Sequence, residues 1–366
     1  MHLAFVGDIA LGDHPKTVGF GFRSRYTRGI PSQFAERLRP PGPKPSLMLG
    51  NLEFPLIETG GPAGIPEPQC RGLPGYAGFL ASAGLTALNV ANNHSSQHGA
   101  AAFVETVTLL RASGIHVVGT PSDFSPEGVV RVSACRVAIL GWSDRPRQYS
   151  NEVPPYNEFS DLAYEQIAEA RRRADLVVAS IHWGDEFVLV PSDRERAIAR
   201  AMVEAGASFV IGHHPHVLRE VEEYRGAIIA YSLGNFVGDM TWDPKTRVTG
   251  WLTAQVEGGR IVSSALTPAV MADDYFPAPV TDEPGRRMWD RVAAARRSHA
   301  KRVARRGYQQ IAEAARVRHA WRTAWMMLRN VRRYPPGVGK EVFQGAFVHR
   351  LQAMLTRRPK RSSAAP

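Results

Sequence analysis

Short apolar runs alternate with amphipathic stretches along most of the chain. "LAFVGD" (3–8), "SLMLGNLE" (46–53) and "TALNVANNH" (86–94) each read as a strand that closes on polar residues. "AAFVETVTLLRASG" (101–114) has helical spacing and a terminal glycine, and "IHVVGT" (115–120) follows as a further strand. "VVRVSACRVAILG" (129–141) resembles a hairpin. Helix, strand, helix and strand then follow in "DLAYEQIAEARRRA", "DLVVASIHWGDE", "SDRERAIARAMVEAGA" and "SFVIGHHPH". This alternation predicts an α/β layered domain with its functional groups on loops at the carboxyl ends of strands. The segments "GAIIAYSLGNF" and "VTGWLTAQVEGGRIVSSALT" add β-structure with a turn at Gly258 and Gly259, so a mixed sheet is expected. Proline and glycine crowd residues 40–78, which reads as long surface loops, and no internal repeat is found.

Charge divides the chain. The 366 residues carry a formal +11, but residues 286–366 hold 21 Lys and Arg against Asp290, Glu313 and Glu341. The preceding 285 residues are net negative, so basicity argues about the tail alone. That tail is Arg/Ala-rich and helical in pattern, with Met288, Trp289, Val292, Trp321, Trp325, Met326 and Leu328 at approximately helical spacing, and its end "RRPKRSSAAP" is expected to fray. Its plainest reading is an appendage that packs its Trp/Met stripe on the core and solvates a basic face. The alternatives are an anionic membrane surface or an acidic polymer, with nucleic acid least favoured because no recognition motif accompanies the arginines. No run reaches the roughly 18–20 apolar residues of a membrane span, and Asp8 interrupts the first apolar run too soon for a signal peptide. A cytoplasmic or membrane-peripheral location is expected, with Cys70 and Cys135 as reduced thiols.

Chemistry concentrates at the strand ends. Asp8 closes the first strand, Asn51 and Glu53 the second, and Asn92, Asn93 and His94 the third. His182 ends a later strand, and "GHHPH" places three of the 12 histidines within four positions. Each piece has a bland reading: a lone strand-end histidine is more often satisfied structurally, and "NNH" could be an Asx-turn or a helix cap. Their joint occurrence favours a metal site, because parallel strands sharing a sheet bring these ends to one edge. Mixed oxygen and nitrogen donors without thiolate suit Mn, Fe or Zn better than Ca.

The ordered series "GDIALG", "GNLEFPL", "NVANNHSSQHG", "IHWGDEF" and "GHHPHVLREVEEYRGAIIAYSLGNF" resembles the capsule-synthesis protein CapA family, associated with poly-γ-glutamate capsules. That family is in turn similar to the calcineurin-like metallophosphoesterases. The resemblance implies a four-layer α/β/β/α metallophosphoesterase-like sandwich over residues 1–285, with residues 286–366 as a basic helical C-terminal extension. It makes Asp8 a first metal ligand, and Glu53, with Asn51, the carboxylate near a bridging position. Asn93 becomes an amide ligand, His94 a proton donor or transition-state stabiliser, and His182, His214 and His216 the remaining ligands, with His213 flanking them. Trp183 and Asn235 take supporting roles. Ala10 stands where the phosphoesterases have a histidine, Gln97 where the family has an aspartate, and Glu53 replaces a shorter bridging residue. One or two divalent ions are therefore implied. The function implied is metal-dependent hydrolysis of a phosphoester, or of an amide of an acidic polymer, in capsule or cell-envelope synthesis. The alternative is a non-catalytic polymer-binding assembly or transport factor with a vestigial metal site.

Overall fold

The computed structural model describes residues 1–58, 69–125, 128–145 and 153–336. Its strands are β1 (His2–Ile9), β2 (Leu47–Leu52), β3 (Ala87–Asn89), β4 (His116–Val118), β5 (Val129–Val132), β6 (Cys135–Ser143) and β7 (Leu176–His182). They continue as β8 (Phe209–His213), β9 (Val221–Tyr224), β10 (Ala227–Ala230), β11 (Asn235–Val237), β12 (Val248–Glu257), β13 (Arg260–Met271) and β14 (Pro277–Pro279). They form two mixed sheets. The first runs β14-β13-β12-β1-β2-β3-β4 with β11 beside the end of β1, and the second runs β5-β6-β7-β8-β10-β9.

Alternation of side chains along each strand sorts the core into layers. Leu3 and Phe5 of β1, with Leu47 and Leu49 of β2, meet Ile139, Val178, Phe209 and Ile211 of the second sheet in one buried cluster. Ala4, Val6 and Met48 face the other way, against Leu80 and Leu110 of the helices Tyr76–Ser82 and Ala100–Ala112. Behind the second sheet, Val177, Ala179 and Val210 pack on Ile167 of helix Leu162–Arg173 and Met202 of helix Asp193–Glu204. Helix, sheet, sheet and helix are thus stacked as the four layers the sequence implied, and the β12–β13 turn falls at Gly258 and Gly259, both at positive φ.

One expectation changes. Five ligand-bearing strands on a single sheet are instead divided between two: β1, β2 and β3 in the first, β7 and β8 in the second. Their carboxyl ends still meet, because both sets are parallel within their sheets.

The C-terminal region forms helices Glu283–Arg306 and Tyr308–Arg329, separated at Gly307, whose φ is +78°. Val292 enters the inter-sheet cluster with Met288 and Trp289 packed beside it, and Ala312 and Ala315 pack on Val188 and Val190. The apolar set read as a single stripe is split. Of that set Val292 is buried, whereas Trp321, Trp325 and Leu328 are 66%, 62% and 57% exposed; Met327, outside the set, turns inward. The inner face of the second helix is formed by Ile311, Ala312, Ala315, His319, Thr323 and Met327, and the tryptophans stay outside. The expected fraying of "RRPKRSSAAP" lies outside the described residues.

Candidate metal centre

Asp8 is set in place by backbone alone. A side chain at Gly7 would overlap the Gly234 carbonyl oxygen, the group that accepts a 2.9 Å hydrogen bond from the Asp8 amide. Asp8 pairs in register with Asn51 of β2 on one side and Asn235 of β11 on the other, so three polar residues line up where the apolar part of the sheet stops. Fully buried, the Asp8 carboxylate accepts from Asn51 Nδ2 at 2.8 Å and from the His214 amide at 3.2 Å.

The second sheet contributes from across the gap. His182 and His213 pair in register at the ends of β7 and β8. Beyond β8 the chain turns through His214 (φ +93°) and His216 (φ +56°), two non-glycine residues in sparsely populated backbone regions. Hydrogen bonds on both flanks hold this turn: the Trp183 amide donates to His213 O at 3.1 Å and the Phe187 amide to Pro215 O at 2.9 Å.

The side chains form one connected group. His182 Nε2 lies 2.8 Å from Asn93 Oδ1 and 3.1 Å from His214 Nδ1. His216 Nδ1 donates to Asn235 Oδ1 at 2.9 Å, which fixes the tautomer and turns Nε2 toward Glu53 Oε1, 3.5 Å away. Ligand atoms of Glu53, His214 and His216 all lie within 4.8 Å of one another. Both Glu53 Oε1 and His214 Nε2 are buried without a hydrogen-bond partner. Buried donors and acceptors are nearly always paired, so two orphans facing one place fit a cation.

Protonation agrees with that fit at three of the histidines; at His216 burial is outweighed by Glu53 and Asp8, which raise its pKa, so a cation there would displace a proton. Burial holds His182 and His214 well below the usual histidine range, and pushes His94 down to about 4, so all three are neutral lone-pair donors. Burial, with Asp8 and Glu186 nearby, raises Glu53 to about 8. Burial opposes ionisation of Asp8 as well, but His213, His216 and His182 outweigh it and bring its pKa to about 2. A cation at Glu53 would displace the proton that burial keeps there.

All eight expected site residues meet at this junction. Glu53, His214 and His216 form the compact triad, and His182 links His214 to Asn93. Asn51 gives its amide to Asp8, and His94 is oriented by Gln97, whose Oε1 lies 2.7 Å from His94 Nδ1. Gln97 therefore does hold His94 despite lacking a charge. Trp183 has a packing role, stacked on Tyr231 and donating to its carbonyl at 3.1 Å.

Other residues were not legible. His213, read as a flanking residue, buries its ring 3.5 Å from Asp8 Oδ1. The site opens into a cavity of about 230 Å³ whose walls also include His14, Glu186, Phe187, His319 and Thr323. His14 stands six positions after Asp8 and packs edge-on to Trp242, outside the triad. "HWGDEF" contained Glu186 and Phe187, but no periodicity marks a loop residue as facing a cavity. His319 was hidden among arginines; its only signal is helical spacing with Ala315 and Thr323 on the buried face.

Residues 2–240 match the family described as bacterial capsule synthesis protein PGA_cap. The chain is 32% identical over 254 residues to the capsule biosynthesis protein CapA of Bacillus anthracis, covering 66% of this chain and 60% of that protein, less than two thirds of its length. It is 30% identical over 288 residues to the PGA biosynthesis protein CapA of Bacillus subtilis, covering 76% and 73%. Over 168 residues it is 30% identical to a probable polyglutamine synthesis accessory protein of Mycobacterium tuberculosis, covering 41% and 44%.

Proposed function

Because the chain belongs to the bacterial capsule synthesis protein PGA_cap family, we propose that it serves poly-γ-glutamate or cell-envelope polymer synthesis as a metal-dependent hydrolase of a phosphoester or amide. The observation that carries this reading is the pair of buried, unpartnered atoms, Glu53 Oε1 and His214 Nε2, grouped with His216. Asp8, Asn93 and His182 extend the donor set. His182 Nε2 lies 2.8 Å from Asn93 Oδ1 and 3.1 Å from His214 Nδ1, so these residues would stand beside an ion held by the triad. We therefore assign one or two divalent ions, Mn, Fe or Zn by donor type. When bound, such an ion supplies Lewis acidity to a phosphoryl or acyl centre.

The protein's own groups do the rest. Asn235 and Asn51 fix the orientation of His216 and Asp8. Gln97 Oε1 accepts a hydrogen bond from His94 Nδ1 and orients that ring for the role of proton donor or transition-state stabiliser. Residues 1–285 form the metal-binding domain in this reading, and residues 286–366 a basic extension that brings it to an anionic surface, the polymer or a bilayer. No helix among the described residues is long and apolar enough to cross a membrane. The exposed Trp321, Trp325 and Leu328, beside Arg318 and Arg329, suit the interfacial layer of an anionic bilayer.

The test is metal analysis with turnover of p-nitrophenyl phosphate and of poly-γ-glutamate, for the wild type and for Asp8→Ala and His216→Ala. Turnover lost in both variants supports the hydrolase. Polymer binding without turnover in the metal-loaded wild type supports the assembly factor instead.

A further inference from the structure

The helix Tyr308–Arg329 lies beyond the family-matched residues 2–240, yet it supplies part of the wall of the cavity over the metal centre. His319 and Thr323, one turn apart and both buried, line the same space as Glu53, His94 and His216. His319 lies flat on Phe187, with centroids 3.5 Å apart and planes within 6°, and Phe187 in turn stacks over His216 at 6.0 Å. A rigid ladder of three rings therefore joins the C-terminal helix to the triad.

The polar atoms of this wall are set for a ligand. Thr323 Oγ1 accepts from Trp242 Nε1 at 3.1 Å, and its own proton has no acceptor among the described residues. His319 Nδ1 lies 3.8 Å from the Asp243 carboxylate, too far for a hydrogen bond, and is buried without one. The same carboxylate pairs with Arg322 and lies 3.7 Å from Lys245 Nζ, so one anion faces two side-chain cations and a histidine, with Arg318 exposed next in sequence. Opposing charge on the cavity wall comes from Glu186 and Asp239. The Asp239 oxygen is already taken by Thr17 and by the His14 and Phe22 amides.

We propose that this helix is the substrate-gripping wall of the cleft: His319 and Thr323 contact the group seated over Glu53 and His216, and Arg318, Arg322 and Lys245 receive the carboxylates of the acidic chain that runs out past them. The inference rests on the acidic-polymer reading above and adds to it the subsite that selects the polymer.

Calorimetric titration of the full chain, loaded with Mn²⁺, with a γ-linked glutamate pentamer tests it. His319→Ala and Thr323→Val are each expected to weaken pentamer binding at least tenfold while Mn²⁺ affinity, titrated separately, stays within twofold of wild type. His319→Gln, which keeps a polar group at the wall, is expected to recover part of the loss, and melting curves confirm that the variants fold. Arg318→Gln is expected to weaken binding most at low salt, where screening is least. Variants that fold and bind the pentamer within twofold of wild type overturn the inference alone. A wild type that binds Mn²⁺ but not the pentamer overturns the acidic-polymer reading together with it.

Discussion

Replacing Glu53 by glutamine separates the two uses of a buried carboxyl. In the metal-free protein its pKa rises from 4.5 to about 8, through burial first and then the negative charge of Asp8 and Glu186. Below about pH 4.5 the group is protonated whether the chain is folded or not, and it contributes nothing to pH dependence. Between 4.5 and 8 the unfolded chain releases the proton that the folded chain keeps, so stability falls as pH rises, and above 8 the loss is complete. At about 1.4 kcal/mol per pH unit the ceiling is roughly 5 kcal/mol. Glu53 and His216 stand 3.5 Å apart and titrate as a pair, so we expect about 2–3 kcal/mol. Glu53→Gln has no proton to lose. After chelation it should therefore melt above wild type at pH 8.5, and the difference should shrink toward zero at pH 5. Adding Mn²⁺ at about 100 times its dissociation constant should stabilise wild type by about 2.7 kcal/mol, and should shift the variant little. An advantage that is the same at both pH values would refute the proton argument, and an equal Mn²⁺ shift in both proteins would refute the ligand assignment.

Asp243 carries the opposite sign. Burial opposes its ionisation, but His319, Lys245 and Arg322 prevail and hold it near 2, so its contribution is complete above about pH 3.8 and is lost as pH falls toward 2. Asp243→Asn should cost about 1–2 kcal/mol at pH 7 and little near pH 2, with faster proteolytic cleavage within 308–329 as the local readout. Gly7→Ala drives a methyl group into the Gly234 carbonyl and should cost about 3 kcal/mol or more, read by denaturant unfolding or by loss of soluble protein. Replacing Trp321 and Trp325 together by alanine should reduce sedimentation with anionic vesicles several-fold and leave melting nearly unchanged, since both side chains are mostly in solvent; undiminished sedimentation would exclude this stripe as the bilayer contact.

The layers were legible because strand and helix periods are local. A fully apolar run such as that of β7 can be buried on both faces only inside a layered sheet, and the amphipathic segment 192–207 begins with a capping box at Ser192 and Glu195. The division into two sheets was not legible by periodicity, since nothing in "LVVASIH" states whether its neighbour is β1 or β6. Pairing partners are a long-range property, and only the family resemblance implied two sheets. The same limit explains the C-terminal helices. Their apolar residues were visible, but the face that packs is chosen by Val188, Val190 and Phe187, some 120 positions earlier. Burial there went to alanine and threonine rather than to the tryptophans.

The site shows why donor type is easier to read than donor role. Strand-end Asp, Asn and His residues announce a polar junction because an apolar run that stops abruptly must stop at something that needs partners. Whether a given residue faces the ion or orients another ligand depends on which of its atoms is already used. Asn51 and Asn93 are the same side chain at the ends of adjacent strands, yet the Asn51 amide nitrogen is bonded to Asp8 while Asn93 Oδ1 meets His182 Nε2. His213 and His214 are neighbours in sequence, and the left-handed turn at His214 sends one ring to Asp8 and the other to His182. A count of hydrogen-bonding atoms separates these cases and a motif does not. At the site it leaves over Glu53 Oε1, His214 Nε2 and both ring nitrogens of His213, and the metal assignment rests on the first two, which group with His216, more than on the histidine spacing that first drew notice.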